Sequence, residues 1–263
     1  MHIRVLRSFL LFLLFLISSI PLFSKTQPAS DPQAVSFAAQ SIAALTNGLT
    51  VSDVTLTGSV TWTLGSETDG GTGTLMALGT GESLMDLALS AGTRTEIRDS
   101  STGTPRGKWV SQSGESGMFA FHNCWTDAAW FFPALGSLAA GPNVVLSYIG
   151  LETHNGAAVQ HLQSYIYRAN QLGTVGPQQW SVMDFYLDSS SFLPLAIAFT
   201  VHPDDNINTN ILMEIRFDNY QLTSGVRVPF HIQRFFNGNL VLDETLTSVS
   251  INTGLSSSLF AVQ

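Results

Sequence analysis

Six histidines and one cysteine are the side chains best suited to nucleophilic or metal chemistry in this sequence. His122-Asn123-Cys124, with Asp127 just beyond, could be written as a Cys–His nucleophile pair. The spacing matches no known nucleophile elbow, and a lone cysteine in an apolar stretch reads as a small hydrophobe. His202, Asp204, Asp205, Asn206 and Asn208 form an oxygen-rich run that echoes the first ligands of a calcium loop. Thr209 stands where such a loop needs its glycine and Ile215 where it needs its bidentate glutamate, so the run reads as a solvated hairpin turn. His154, His161 and His231 fall at strand spacings with no i, i+4 pair on a helix, and no metal site is expected. Gly70-Gly71-x-Gly73 precedes a strand rather than a helix and so is no phosphate cradle. No catalytic residue and no cofactor is expected.

The sequence offers apolar surface instead. Trp125, Trp130, Phe131, Phe132, Leu135 and Leu138 sit among small residues with scarcely a charge between them. Thr126-Asp127 is a plausible cap, and Pro133 limits any helix here to short pieces. Such a segment must be covered, by the core or by a ligand. Burial alone can hold a ligand, at about 25 cal/mol per Å² and about 0.8 kcal/mol per methylene of an acyl chain. The expected lining of such a cavity is Trp62, Met213, Ile215, Phe217, Phe230 and Ile232, with Trp125, Trp130, Phe131 and Phe132 as a lid. The alternative is that these residues simply fill a closed core.

The elements that would position them are strands. Ile211, Met213, Ile215 and Phe217 alternate with Leu212, Glu214, Arg216 and Asp218, and Val226, Val228, Phe230 and Ile232 alternate with Arg227, Pro229, His231 and Gln233. A period of two marks antiparallel strands with one apolar and one wet face. Val54, Leu56, Val60, Trp62 and Leu64 share a face in the same way. Leu240, Leu242 and Leu246 keep one phase while Val249 and Ile251 fall on the other, which predicts a β-bulge near Thr247–Ser248. Asn237-Gly238 would suit a two-residue hairpin, but a three-residue loop pairing Phe236 with Leu240 keeps the apolar residues together and is preferred on register. Ahead of the strands, Asp31-Pro32 caps a helix whose stripe is Val35, Ala38, Ala39, Ile42 and Leu45, ended by Asn47-Gly48. The chain thus reads as one helix, about eleven strands in a meander, and a helical insertion between the sixth and seventh.

Hydrophobic residues make up 44% of the 263 and charged ones only 11%, well below the roughly 25% of a typical soluble domain. Polar strand faces of Thr, Ser, Asn and Gln must do the wetting. Arg4, Arg7 and Lys25 precede Asp31, so from Asp31 onward eight cations face all nineteen anions, a formal charge of −11. Such acidity argues against a nucleic-acid partner or an anionic membrane surface. Residues 1–24 read as an export signal, with Phe9 to Ile17 as its apolar core and Pro21 and Ser24 breaking it. Residues 25–30 form a linker, and 31–263 a single domain, periplasmic or secreted. Leu22 is large for a cleavage site, so retention as an N-terminal anchor is the alternative. With Cys124 alone no internal disulfide can form, and no cysteine lies near the cut to take a lipid.

Several phrases in the second half recur in a known family. They are Leu146-Ser147-Tyr148-Ile149-Gly150 with Glu152 and Gly156; Tyr186-Leu187-Asp188 with Leu193-Pro194; Phe217-Asp218-Asn219-Tyr220 leading to Gly225-Val226-Arg227-Val228-Pro229; and Val249-Ser250-Ile251-Asn252 before Leu255 and Phe260. In order and spacing, over roughly residues 145–260, this succession resembles the periplasmic outer-membrane lipoprotein-sorting proteins, the LolA-like superfamily. The resemblance implies a mainly β fold: a strongly curved antiparallel sheet, or incomplete β-barrel, whose concave face is covered by helices and whose apolar cavity receives acyl chains. The expected partner is then a lipid or an acylated lipoprotein. A scaffold module of the same fold with a filled core, acting on an envelope protein, is the second reading.

Overall fold

The computed structural model describes residues 27–136, 138, 141–168 and 176–262. The expected leader (1–24) and the first two linker residues lie outside the described residues. Helix α1 (Pro32–Thr46) starts where the Asp31 carboxylate accepts the Gln33 N–H at 2.7 Å, and Pro32 fills a first-turn position that needs no donor. Asn47, left-handed at φ 51°, ends it. Its buried face is Ala34, Ala38, Ser41 and Leu45. That face is turned one position from the expected stripe, leaving Val35 40% exposed. Small residues let the helix lie close on the sheet, where Phe37 meets the Tyr148 ring edge-on at 5.3 Å. Among the described residues no helix is long and apolar enough to cross a membrane.

Among the described residues thirteen strands follow where about eleven were expected: β1 (Asp53–Leu64), β2 (Glu67–Leu78), β3 (Ser83–Leu89), β4 (Gly92–Asp99), β5 (Arg106–Val110), β6 (Ser116–Met118), β7 (Val144–His154), β8 (Ala157–Ile166), β9 (Met183–Asp188), β10 (Pro194–Val201), β11 (Ile211–Thr223), β12 (Val226–Phe236) and β13 (Asn239–Ile251). They form one antiparallel sheet in the order β6-β5-β4-β3-β2-β1-β13-β12-β11-β10-β9-β8-β7. The strand order runs outward from β1 to one edge at β6, resumes at the opposite edge with β7, and meanders back until β13 lies beside β1. The two edge strands do not pair, so the barrel stays open.

The sheet is strongly curled. Glu96 on β4 reaches Arg234 on β12 at 3.4 Å, although five strand steps separate them. In a flat sheet those strands would stand about 24 Å apart at ~4.8 Å per step. The bend has visible causes in the middle of the sheet. Gly58 and Gly73 lie directly opposite one another, and a Cβ on Gly58 would collide with the Thr245 carbonyl. Beside them sits the expected bulge. Thr57 pairs with Ser248 and Gly58 with Leu246, leaving Thr247 out of register with its hydroxyl donating to the Thr57 carbonyl at 3.2 Å. Bulges add twist and bend where they fall.

The neighbouring hairpin differs from expectation. Phe236 pairs with Asn239, not Leu240, so the loop is the two-residue Asn237-Gly238. Both residues are left-handed, at φ 46° and 79°, the geometry whose twist suits a hairpin. The phase problem that favoured a longer loop is solved by a second bulge. Arg234 pairs with Leu242 and Phe235 with Leu240, which skips Val241 and returns Leu242 to the interior.

The phrases that carry the family resemblance are turns and latches. The Asp188 carboxylate accepts the hydroxyls of Ser190 and Ser191 at 2.6 and 2.8 Å and both of their N–H groups, closing the turn from β9 to β10. The Tyr220 hydroxyl donates to the Pro194 carbonyl at 2.7 Å. The Asn252 side chain accepts the Ser52 N–H at 2.7 Å and donates to the Thr50 carbonyl at 2.8 Å, tying the end of β13 to the start of β1.

The hydrogen bonds to Asp188, first that from the Ser190 hydroxyl, hold its carboxyl down at about 2. A depressed acid stabilises the fold above its ordinary value of 3.8 and loses that contribution as pH falls through about 2. Asp188→Ala is therefore expected to cost about 1–3 kcal/mol at pH 7, with the deficit shrinking as pH drops below about 4. Urea unfolding of both proteins at pH 7 and pH 3 checks this.

Candidate functional site

The segment between β6 and β7 roofs the concave side as two 3₁₀ turns, Phe121–Cys124 and Pro133–Leu135, joined by tight bends. Pro133 opens the second turn, in keeping with its limit on helix length. The Asp127 carboxylate accepts the Ala129 N–H at 2.9 Å, so the expected cap organises a turn. The roof is pinned to both wings of the sheet. Arg98 of β4 donates to the Asn123 carbonyl at 2.7 Å. The Asn123 amide donates to the His202 carbonyl at 2.7 Å and accepts the His202 N–H at 2.9 Å, just past β10.

Beneath one end of this roof lies a recess of about 400 Å³. Its apolar walls are Trp62, Leu64, Trp109, Phe119, Trp130, Val201, Met213 and Phe236. Arg94, Glu96, Arg98, Asn123, Asp204 and Arg234 supply the polar part. Of the lining expected from alternation, Trp62 and Met213 border the recess. Ile215, Phe217 and Ile232 are buried in the core, and Phe230 packs half-buried against it. Of the expected lid, Trp130 borders the recess, while Phe131 and Phe132 point into the core and are fully buried. Trp125 lines a second hollow of about 330 Å³. That hollow lies at the open seam, where Arg168 sits over its ring at 4.9 Å and donates to the Gly103 carbonyl at 2.8 Å.

The charged cluster in the recess was not anticipated. The Arg234 side chain, from a residue only 2% exposed, lies over Trp62 and Trp130, each at 5.1 Å, and over Phe236 at 5.6 Å. Glu96 accepts from Arg94 at 2.9 Å and from Arg234 at 3.4 Å. Burial works against the Glu96 charge, but Arg234 first, then Arg94 and Arg98, outweigh it and hold the carboxyl at about 2. Glu244 is the opposite case. It faces inward from β13 with no exposure and, among the described residues, no hydrogen-bond partner, over the space left by Gly73, whose Cβ would stand 2.7 Å from its Oε1. Burial alone pushes its carboxyl up to about 8. A sequence signal existed for both: Arg234 continues the inward phase of Val228, Phe230 and Ile232, and Glu244 sits between Leu242 and Leu246.

The remaining sequence motifs have structural partners. The Cys124 thiol donates to the Ala120 carbonyl at 3.6 Å, and burial pushes its pKa up, away from a thiolate. In the 202–209 loop, Asn206 accepts the Asn208 N–H at 3.1 Å and donates to the Thr209 hydroxyl at 2.9 Å. Among the described residues no group of His, Cys, Asp and Glu is placed to hold a metal ion.

An open, curled antiparallel sheet, with α1 and a roof of short turns over its concave face, is the LolA-like fold. No family model and no curated protein matches the sequence. Solved structures do match. An outer membrane lipoprotein-sorting protein domain from Vibrio parahaemolyticus superposes with a TM-score of 0.57 at 13% identity, covering 87% of this chain and 96% of that one. A LolA superfamily protein from Nitrosomonas europaea gives 0.55 at 9% identity over 87% and 97%. A DUF1329 family protein from Desulfovibrio piger gives 0.53 at 10% identity over 90% and 98%. At these identities the likeness is one of fold.

Two outcomes follow from the buried charges. Glu96→Gln leaves Arg234 without its counter-charge and is expected to cost about 3–5 kcal/mol, whereas Glu96→Gln with Arg234→Met recovers most of it. Guanidinium unfolding of the two variants decides between a coupled pair and independent groups. For Glu244, a raised acid stabilises the fold fully below its ordinary value of 4.5 and loses that contribution as pH rises through about 8. The wild type should therefore lose up to about 1.4 kcal/mol per pH unit across that window. Glu244→Gln should show a flatter profile and the higher stability at pH 8, measured by denaturant midpoints at pH 5 and pH 8.

Proposed function

We propose that this is an exported, non-catalytic protein of one domain (31–263) that binds or carries a lipid, or the acyl chain of a lipoprotein, with its leader (1–24) directing it to the periplasm or outside the cell. The observation that carries this reading is the recess between the two wings of the sheet, walled by Trp62, Trp109, Phe119, Trp130, Met213 and Phe236. Its size lies toward the lower end of the roughly 300–1,000 Å³ of ligand sites, and its mix of apolar walls with a few polar groups is typical of them. Aromatic and thioether walls release water on contact with a chain, so burial supplies the affinity without any reacting group. The lipoprotein-sorting domain from Vibrio parahaemolyticus, similar in fold, supports the same reading.

A specific observation favours the second reading too. Phe131, Phe132, Phe185 and Phe260 are fully buried, so much of the concave side is occupied by the protein's own rings. A scaffold module acting on an envelope protein would need no more. Native mass spectrometry of the purified mature protein separates the two. The carrier reading expects a bound lipid mass that is lost on unfolding, and uptake of a fluorescent fatty acid by the delipidated protein. An empty protein that refuses the probe leaves the scaffold.

A further inference from the structure

We infer that the recess selects an anionic amphiphile, its carboxylate or phosphate head received by Arg234 with Arg94 and Arg98, and its chain laid along the aromatic wall. This rests on the acyl-chain reading above and names the head group that reading leaves open.

Three observations carry it. The first is a missing partner. Arg234 is only 2% exposed, yet among the described residues its Nε–H has no acceptor and its one ion pair, to Glu96, is long at 3.4 Å. A buried donor left unpaired is costly, and native structures rarely keep one without use. The second is charge balance. Arg94, Arg98 and Arg234 face Glu96 and Asp204 in the recess, an excess of one cation. This occurs in a chain of formal charge −8 in which only eight cations follow Asp31. Three of those eight gather at this one hollow. Glu96 cannot satisfy them all, since it already accepts two bonds from Arg94, at 2.9 and 3.3 Å. The third is geometry. Trp62 and Trp130 hold the Arg234 guanidinium over their rings, and with Nη1 turned to Glu96 the unpaired Nε–H is the donor left for an oxyanion. Guanidinium edges match carboxylate and phosphate oxygens, and such charge-assisted bonds are the strong ones. The same aromatic rings continue as the apolar wall, so head and chain sites adjoin.

The test holds chain length constant and varies the head. Dodecanoate, dodecyl phosphate, dodecanol and dodecyltrimethylammonium are titrated into the delipidated wild-type protein by calorimetry below their micellar concentrations. The two anions are expected to bind at least about tenfold more tightly than dodecanol, and the cation more weakly still. Whichever anion is tighter separates a free fatty acid from a phosphate-headed lipid as the source. The double variant Arg234→Met with Glu96→Gln removes a buried pair together and leaves the excess of one cation unchanged, so a fall of about threefold or more in the ratio of anion to dodecanol affinity supports reception by the Arg234 guanidinium, and an unchanged ratio overturns it. Wild-type protein that binds dodecanol as tightly as the anions overturns the head-group inference while leaving the chain-binding reading standing. Binding of none of the four removes both.

Discussion

A single sheet of thirteen strands buries its inner face only by curling until its wings confront each other, and the Glu96–Arg234 contact shows how far the curl goes. That contact joins strands five steps apart. The recess and its roof both hang on it. The recess exists because β4 and β5 look across at β11 and β12 instead of lying beside them. The roof can be pinned at both ends because Arg98 and His202, from opposite wings, lie within reach of Asn123. The curl in turn needs the Gly58–Gly73 pair and the Thr247 bulge, which let β13 press onto β1 where a side chain would collide.

The interior is unusually polar for so weakly charged a chain. A buried ion pair is poor evidence of stability, since desolvating both charges offsets much of their attraction. Glu244 is worse placed, buried over Gly73 with no donor among the described residues. Apolar residues of similar volume would make a more stable core. Retention of charge here makes physical sense if the hollow meets a polar group that the chain itself does not supply. It also sets the two limbs of the pH response: depressed carboxyls such as Glu96 and Asp188 fail toward acid, and Glu244 toward base.

The residues that carry the family resemblance lie away from the recess. Asp188, Pro194, Tyr220 and Asn252 close turns and tie strand ends. The likeness to solved structures at 9–13% identity is one of fold, so what the hollow can hold depends on its own wall residues.

Local alternation was legible in the chain: the inward faces of β1, β11 and β12, the capped helix, the slip at Thr247 and the proline-limited roof all follow from spacing and backbone chemistry. The hairpin at Asn237 shows where that legibility ends, because two bulges together gave the same burial as the longer loop that one-dimensional register favoured. Which inward residues would line space and which would fill it could not be read at all. Ile215 and Met213 share a face of one strand and both are buried in the core, yet only Met213 also borders the recess. Alternation assigns a residue to a side of the sheet; only the curvature of the whole sheet decides what stands opposite. That is a sum over thirteen strands and their bulges, and tertiary structure alone performs it.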